Sequence, residues 1–391
     1  MTNSIGEQEL FVSLRIAAEQ ILSTALNCQI RLDRLERMTE AGRRNLLLRC
    51  WIEPIENLPA SFIIKKVEGD YSPEHCDSAD TKRIFNDWTG TKFLNKVSPQ
   101  LHHSPHFYGG DRRLGLIVIE DVQHRHSLVE SLLGRDRSLA EWALLQYATC
   151  LGKLHRDTVG KVEEFERLYC TLAPDVKFTR ASLNIQQLQS TLDRVAIELG
   201  SHWSQDVETI NNMLLHPGEF LTYVHTDACP DNVLDTGSKL RLIDFETGRF
   251  DHAFIDAACG RMMFPSCWCS KALPLNLVQK MEHTHRAILS ETCPSLEDDR
   301  VFETALVNAC GMWLLYTILR HLEPALAKEQ NFGISTIRQR ILARLQTFIE
   351  LSTELNQLVG LRDVSNRLLD TLSKSWSDVP ELPLYPAFAL H

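Results

Sequence analysis

The chain has 391 residues, 44% hydrophobic and 24% charged, with a formal net charge of −10. That length allows a sizeable core in one large or two ordinary domains, and the composition is that of an ordinary globular protein. The negative charge excludes the basic footprint that non-specific nucleic-acid binding needs. Residues 1–121 hold 15 Lys and Arg against 17 Asp and Glu, and the remainder 26 against 34. The acidic excess therefore lies C-terminally, a weak pointer to a cationic partner that competes with plain solvated surface. Eleven cysteines behind a polar, acidic start read as reduced thiols in a cytoplasmic protein. The longest uncharged run, Thr304 to Leu319, is shorter than the ~20 residues that span a bilayer. It is expected to be a core helix, with no membrane partner.

In chain order, Leu10, Leu14, Ala17, Ile21 and Leu22 recur at helical steps. The period then changes to two. Gln29 to Leu35 alternates, Asn45 to Ile52 follows a polar turn, and Ala60 to Val67 is a third strand candidate. Asp80 to Val97 is helical, and Leu114 to Val122 is a strong strand. Residues 28–121 thus predict a small antiparallel sheet with one helix inserted. His103 and His106, with His102, are expected on a loop before a strand. Beyond Val122 the pattern is mostly helical. Ser138-Leu-Ala-Glu141 has the form of a capping box that opens a helix through Leu144, Ala148, Leu151 and Leu154. Ser182 to Leu199 and Gln205 to Leu215 are further helices, and helices resume from about Leu275 to Leu372. The tail from Trp376 to Leu390, with Pro380, Pro383 and Pro386, is expected to be extended.

A strand–loop–strand segment interrupts these helices: Tyr223-Val-His-Thr-Asp-Ala-Cys-Pro-Asp-Asn-Val-Leu234, then Leu242-Ile-Asp-Phe-Glu246. Apolar runs (Leu221 to Val224, Val233-Leu234 and Leu240 to Ile243) bracket the polar residues and can hold the loop rigid. Phosphoryl transfer asks a protein mainly for a positioned nucleophile and shielded phosphate charge. Asp227 can orient a hydroxyl and accept its proton. Asn232 offers a neutral oxygen to a hard cation, and Asp244 a charged one. His225, two residues before the base, reads as a supporting hydrogen-bonder.

With these residues the segment resembles the aminoglycoside phosphotransferase and choline kinase superfamily, whose catalytic loop reads roughly His-x-Asp-x-x-x-x-Asn and whose metal site reads Ile-Asp-Phe. Gly248, Asp251 and Asp256-Ala-Ala fit the pattern that follows, and Leu151-Gly-Lys-Leu-His155 resembles its Leu-Gly-x-Leu-His helix. The resemblance covers roughly residues 30–330. It implies an α+β, bilobal protein-kinase-like fold: a nucleotide-binding lobe over 1–121 with a small antiparallel sheet, and a larger helical catalytic and substrate-binding lobe over 122–391. It implies ATP and Mg²⁺ as cofactors, with Asp227 as base, Asp256 bracing the catalytic loop, and Asn232 and Asp244 on the metal. Phe62-Ile-Ile-Lys65 resembles the strand whose lysine holds the phosphates; alternation admits only one of Lys65 and Lys66, and the family pattern favours Lys65. Asp87 is the expected ion-pair partner, with Glu74 as the alternative. Ile119-Glu120-Asp121-Val122 resembles the hinge, where Glu120 and Val122 would meet adenine. The single glycine of Thr39 to Asn45 signals nothing on its own.

Glu246 makes the metal motif Asp-Phe-Glu, as in choline and ethanolamine kinases, and reads either as a second acid near the metals or as an ion-paired carboxylate. Trp268, Trp313 and Tyr316 are candidates for a cation cage, against the commoner role of core aromatics. Cys267-Trp-Cys269, with Cys259 nearby, lacks a second half for zinc, so buried thiols are the expectation. No Ala-Pro-Glu element follows Asp244, which disfavours a protein substrate. The expectation is a kinase of a small hydroxylated molecule, such as an amino sugar or choline-like amine. The competing reading is a kinase-like protein that binds nucleotide or a partner without turnover.

Overall fold

The structure is a computed structural model that describes residues 2–40, 43–74, 76–99, 103–178 and 180–389, with side chains from Gln8 onward. Ala41 and Gly42 of the Thr39–Asn45 loop, and His102, lie outside the described residues. The fold is α+β: an antiparallel sheet in the N-terminal region and a mainly helical C-terminal part. Two compact units divide the chain. One comprises Met1–His124 with Glu163–Phe178 and Arg241–Gly248; the other comprises the remainder. Two segments from beyond residue 121 are thus counted with the first unit.

The first unit carries five strands: β1 (Leu32–Arg37), β2 (Asn45–Ile52), β3 (Ser61–Val67), β4 (Phe107–Asp111) and β5 (Leu116–Glu120), in the order β1-β2-β3-β5-β4 and antiparallel throughout. In β2, Leu46, Leu48, Cys50 and Ile52 are buried at every second position, the period of a strand with one covered face. They share a core with Phe62 and Ile64 of β3 and with Leu14, Ala18 and Leu22 of the first helix, Thr2–Leu26. Burying such aliphatic side chains stabilises by about 1.5–3 kcal/mol each. The helix Ala79–Val97 is capped by Ser78, whose hydroxyl accepts from the Thr81 N–H at 3.0 Å.

The strand β4 was not expected from its sequence, because Phe107-Tyr-Gly-Gly-Asp111 holds two poor strand formers. Packing requires the second of them. A Cβ on Gly110 would stand 2.3 Å from the Trp88 ring and 2.7 Å from the Leu116 carbonyl oxygen.

In the second unit, Leu221–Val224 pairs antiparallel with Arg249–His252, a strand too polar to be read in advance. The helix Arg137–Thr158 is present, but its capping differs from expectation. Asp136 is its cap, accepting from the Leu139 N–H at 3.0 Å, while Ser138 lies inside it and Glu141 pairs with Arg137 at 2.8 Å. A capping box does exist just upstream, where Ser127 and Glu130 open the helix Leu128–Leu133. The helix expected over Ser182–Leu199 is shorter, Ile185–Asp193, and the chain turns left-handed at Ala196. Helices Leu275–Leu289, Asp299–Thr317, Ile337–Leu355 and Val359–Ser375 follow. Asp299–Thr317 continues through a π-turn, Ile318–Leu322, and contains the uncharged run as a mostly buried core helix. One stretch, Asp299–Ala327, is long and apolar enough to cross a membrane, and 78% of its apolar window is buried inside the protein. The tail is extended only over residues 379–385, with a bridge from Ala272 to Leu384; contrary to the expectation of a wholly extended segment, it starts in a turn and closes in a 3₁₀ helix, Pro386–Phe388.

Candidate functional site

Alternation along β3 puts Phe62 and Ile64 on the core face and turns Lys65 to the other. There its ammonium meets Asp87 at 2.6 Å, Glu246 at 3.7 Å, and Asp244. Lys66, on the opposite face from Lys65, instead donates to its neighbour Val67's carbonyl at 2.6 Å. Burial opposes the Lys65 charge, but Asp244, Asp87 and Glu246 outweigh it and hold the ammonium well above the usual lysine range.

Asp87 is short for this task, yet it reaches because it bridges. One oxygen takes Lys65 while the other accepts the Phe245 N–H at 3.0 Å. Asp87 therefore fixes the Ile243-Asp-Phe segment and the lysine together. The alternative, Glu74, lies in a loop.

Asp244 sits at φ +66°, a left-handed conformation that strains a residue with a side chain. Its side chain is 37% exposed, whereas those of Lys65 and Asp87 are almost fully buried. Glu246 is buried and fully engaged: Arg44 donates to it at 2.7 Å and Asn45 at 3.0 Å. Burial first, then Asp244, raises its carboxyl above the usual range. Of its two readings, the ion-paired carboxylate is the one present. Three carboxylates (Asp87, Asp244 and Glu246) face two cations (Lys65 and Arg44), and the surplus negative charge is presented where Asp244 is exposed.

Near the end of β5, the Glu120 carboxylate is held by Arg241 at 2.6 and 2.7 Å, and its N–H bonds to the His106 carbonyl. The Val122 carbonyl is paired with the His124 ring at 2.9 Å. His103 and His106 lie before β4, as expected.

In the second unit, the loop after Leu221–Val224 is organised by Asp256. One carboxylate oxygen accepts the His225 N–H at 2.6 Å, and the other accepts the Thr226 N–H at 2.8 Å. Thr226 is left-handed at φ +61°, so the loop turns sharply just before Asp227. His155 approaches the same carboxylate at 3.3 Å, and its other nitrogen meets His285 at 2.8 Å. Against the effect of burial, His155 and His225 keep the Asp256 carboxyl below its usual value. Asn232 Nδ2 donates to the Asp227 carbonyl at 3.0 Å, which fixes the orientation of the amide. Tyr147 anchors the loop by donating to the Ala228 carbonyl at 2.9 Å. His155 was visible in the Leu-Gly-x-Leu-His motif; His285, contributed from 130 residues further along, carried no local signal.

The cage aromatics have other employment. Trp313 is buried and donates to the Ile255 carbonyl at 2.7 Å, with Tyr316 edge-on to it, while Trp268 donates to Asp231 at 2.7 Å.

His252, buried beside this loop, is pushed down to about 3, by burial first and His155 second. An unfolded histidine titrates near 6.5. Between those values the unfolded state binds more protons, so stability rises with pH. We expect the wild-type denaturant midpoint to fall from pH 7 to pH 5, and to fall less in His252→Gln. An equal decline in both proteins would refute the neutral assignment.

No family model matches the sequence, and no curated protein matches it. Solved structures similar to it include choline kinase from Cryptosporidium parvum Iowa II, at 12% identity over 87% of this chain and 93% of that chain with a TM-score of 0.47. A choline/ethanolamine kinase family protein from Mesorhizobium loti is similar at 13% identity over 85% and 92%, with a TM-score of 0.44. Aminoglycoside phosphotransferase APH(2'')-Ib, ADP-bound, is similar at 15% identity over 88% and 98%, with a TM-score of 0.45. The roles of individual residues rest on the side chains of this chain.

Proposed function

We propose that this chain is an ATP- and Mg²⁺-dependent phosphotransferase that moves the γ-phosphoryl group to a hydroxyl of a small molecule, such as an amino sugar or a choline-like amine. One observation carries the reading: a buried lysine is clamped by Asp87 and Asp244 while the Asp244 side chain stays partly exposed. Purely structural ion pairs do not need a strained, partly exposed carboxylate. The surplus negative charge around Lys65 and the amide oxygen fixed on Asn232 suit a hard divalent cation.

In this reading Lys65, positioned by Asp87, holds the phosphates; Asn232 and Asp244 are the metal ligands; backbone groups at Glu120 and Val122 meet the adenine edge. Bound Mg²⁺ would neutralise charge on the transferring phosphoryl group. Asp227 orients the acceptor hydroxyl and takes its proton, a role worth about 10²–10⁴ in rate. His225 supports it through the main chain, which Asp256 holds. The acidic balance beyond residue 121 favours an amine-bearing acceptor.

Thermal-shift titration with Mg-ATP, followed by ATP-consumption assays on a panel of hydroxylated amines and sugars, tests this. Asp244→Ala should lose the Mg²⁺-dependent shift. Asp227→Asn should keep it and lose about 10²-fold or more in turnover. Nucleotide binding by the wild type with no transfer across the panel, and no effect of Asp227→Asn, would favour a binding protein without turnover.

A further inference from the structure

Cys267-Trp-Cys269 reads as half of a metal site with nothing to complete it. The fold supplies the missing half. Sγ of Cys229, Sγ of Cys267 and a carboxylate oxygen of Asp231 all lie within 4.8 Å of one another. Cys269 Sγ is 2.9 Å from Cys267 Sγ but is outside this group. Cys259 is not part of this group; its thiol donates to the Ile255 carbonyl.

A second observation comes from the other side of the thiols. Arg340 and Arg344 are both buried, and neither has a carboxylate partner among the described residues. Arg340 donates to the carbonyls of Cys267 at 2.6 Å and Trp268 at 3.0 Å, and Arg344 donates to the Met262 carbonyl at 3.0 Å. Two buried cations without anions are costly. Neutral thiols do not relieve them, whereas metal-bound thiolates do.

We propose that Cys229, Cys267 and Asp231 form a site for Zn²⁺, with a water molecule as the fourth ligand. With water, these ligands make a tetrahedral set, with bonds of about 2.3 Å to sulfur. Zn²⁺ with two thiolates and one carboxylate has one surplus negative charge, set beside two guanidiniums that lack a carboxylate partner among the described residues. Binding displaces the thiol protons to solvent and changes no oxidation state. The ion would tie the loop holding Cys229 and Asp231 to the segment holding Cys267. This inference does not depend on the phosphotransferase reading.

The test uses the full chain, stripped with a chelator and titrated with Co²⁺ as a spectroscopic substitute for zinc. One equivalent should produce a thiolate-to-Co²⁺ charge-transfer band with the d–d bands of tetrahedral cobalt, and Zn²⁺ should bleach them. Cys267→Ser and Cys229→Ser should each weaken binding at least about tenfold, while Cys28→Ser should not. If the serine variants do not fold, pulsed alkylation of the wild type gives the same answer: Zn²⁺ should protect Cys229 and Cys267 and leave Cys28 reactive. Absence of the charge-transfer band, an unchanged band in Cys267→Ser, or equal protection of Cys28 would overturn the proposal.

Discussion

Lys65→Met should lower the unfolding free energy by about 3–5 kcal/mol, the usual cost of removing one partner from a buried charge cluster. Lys65 is 5% exposed and faces Asp87, Asp244 and Glu246, so its loss leaves three carboxylates without their common cation. The methionine stem fills most of the volume, which makes the loss electrostatic and not a cavity effect. The linkage has a definite sign. The folded-state value of Lys65 is raised, so its contribution is fully present below the unfolded lysine value of about 10.4 and is lost as pH rises through the folded one. Denaturant melts at pH 7 and in the alkaline range should show the wild type losing stability that Lys65→Met already lacks. A variant within about 0.5 kcal/mol of wild type at pH 7 would mean that the cluster is solvated in solution. Asp87→Asn should destabilise as well, and combining it with Lys65→Met should cost less than the sum of the two, because both act on one cluster. Part of the Asp87→Asn effect should persist in the Lys65→Met background, since Asp87 also holds the Phe245 N–H.

On the phosphotransferase reading proposed above, Asp256→Asn should slow turnover by about 10²-fold, the penalty for a small misplacement of catalytic groups, with a smaller change in nucleotide affinity. The carboxylate accepts two consecutive N–H groups immediately before Asp227 and also faces His155. An amide offers one acceptor oxygen in place of two, so one of these donors is stranded; a hydrogen bond to a charged group is worth about 1.5–3 kcal/mol. The acid limb provides a separate reading. The Asp256 folded-state value is depressed, so its stabilisation is present above the unfolded value of about 3.9 and is lost as pH falls through the folded one. Asp256→Asn should therefore start lower at pH 7 and lose less below pH ~4. Wild-type turnover in Asp256→Asn, with an unchanged acid limb, would remove its bracing role.

Residues whose meaning is local were legible from the sequence. Strand alternation around Lys65 and the spacing of Asp227, Asn232 and Asp244 follow from a few neighbouring positions, and the first helix and four of the five sheet strands follow from the apolar pattern. Illegible features depend on partners far along the chain. The strand β4 holds Gly110 because Trp88 fills the space a side chain would need. His285 meets His155 from 130 positions away. Glu246 could be read as ligand or ion pair until Arg44 and Asn45, about 200 residues earlier, came into hydrogen-bond range. Ser138-Leu-Ala-Glu141 failed for the opposite reason: the motif is right in form, but Asp136 caps the helix first.

The assignment of Arg241–Gly248 to the same unit as the N-terminal sheet bears on how the protein can be cut. A fragment ending at His124 would keep Lys65, Asp87 and Arg44 but shed Asp244, Glu246 and the Phe245 amide that Asp87 engages. Its sheet would carry a buried cation stripped of two of its three anions. Such a fragment should express poorly, whereas the same fragment with residues 241–248 appended through a flexible tether has the means to recover. The smallest inheritable piece of this fold is set by who neutralises Lys65, and that requirement ties the beginning of the gene to its middle.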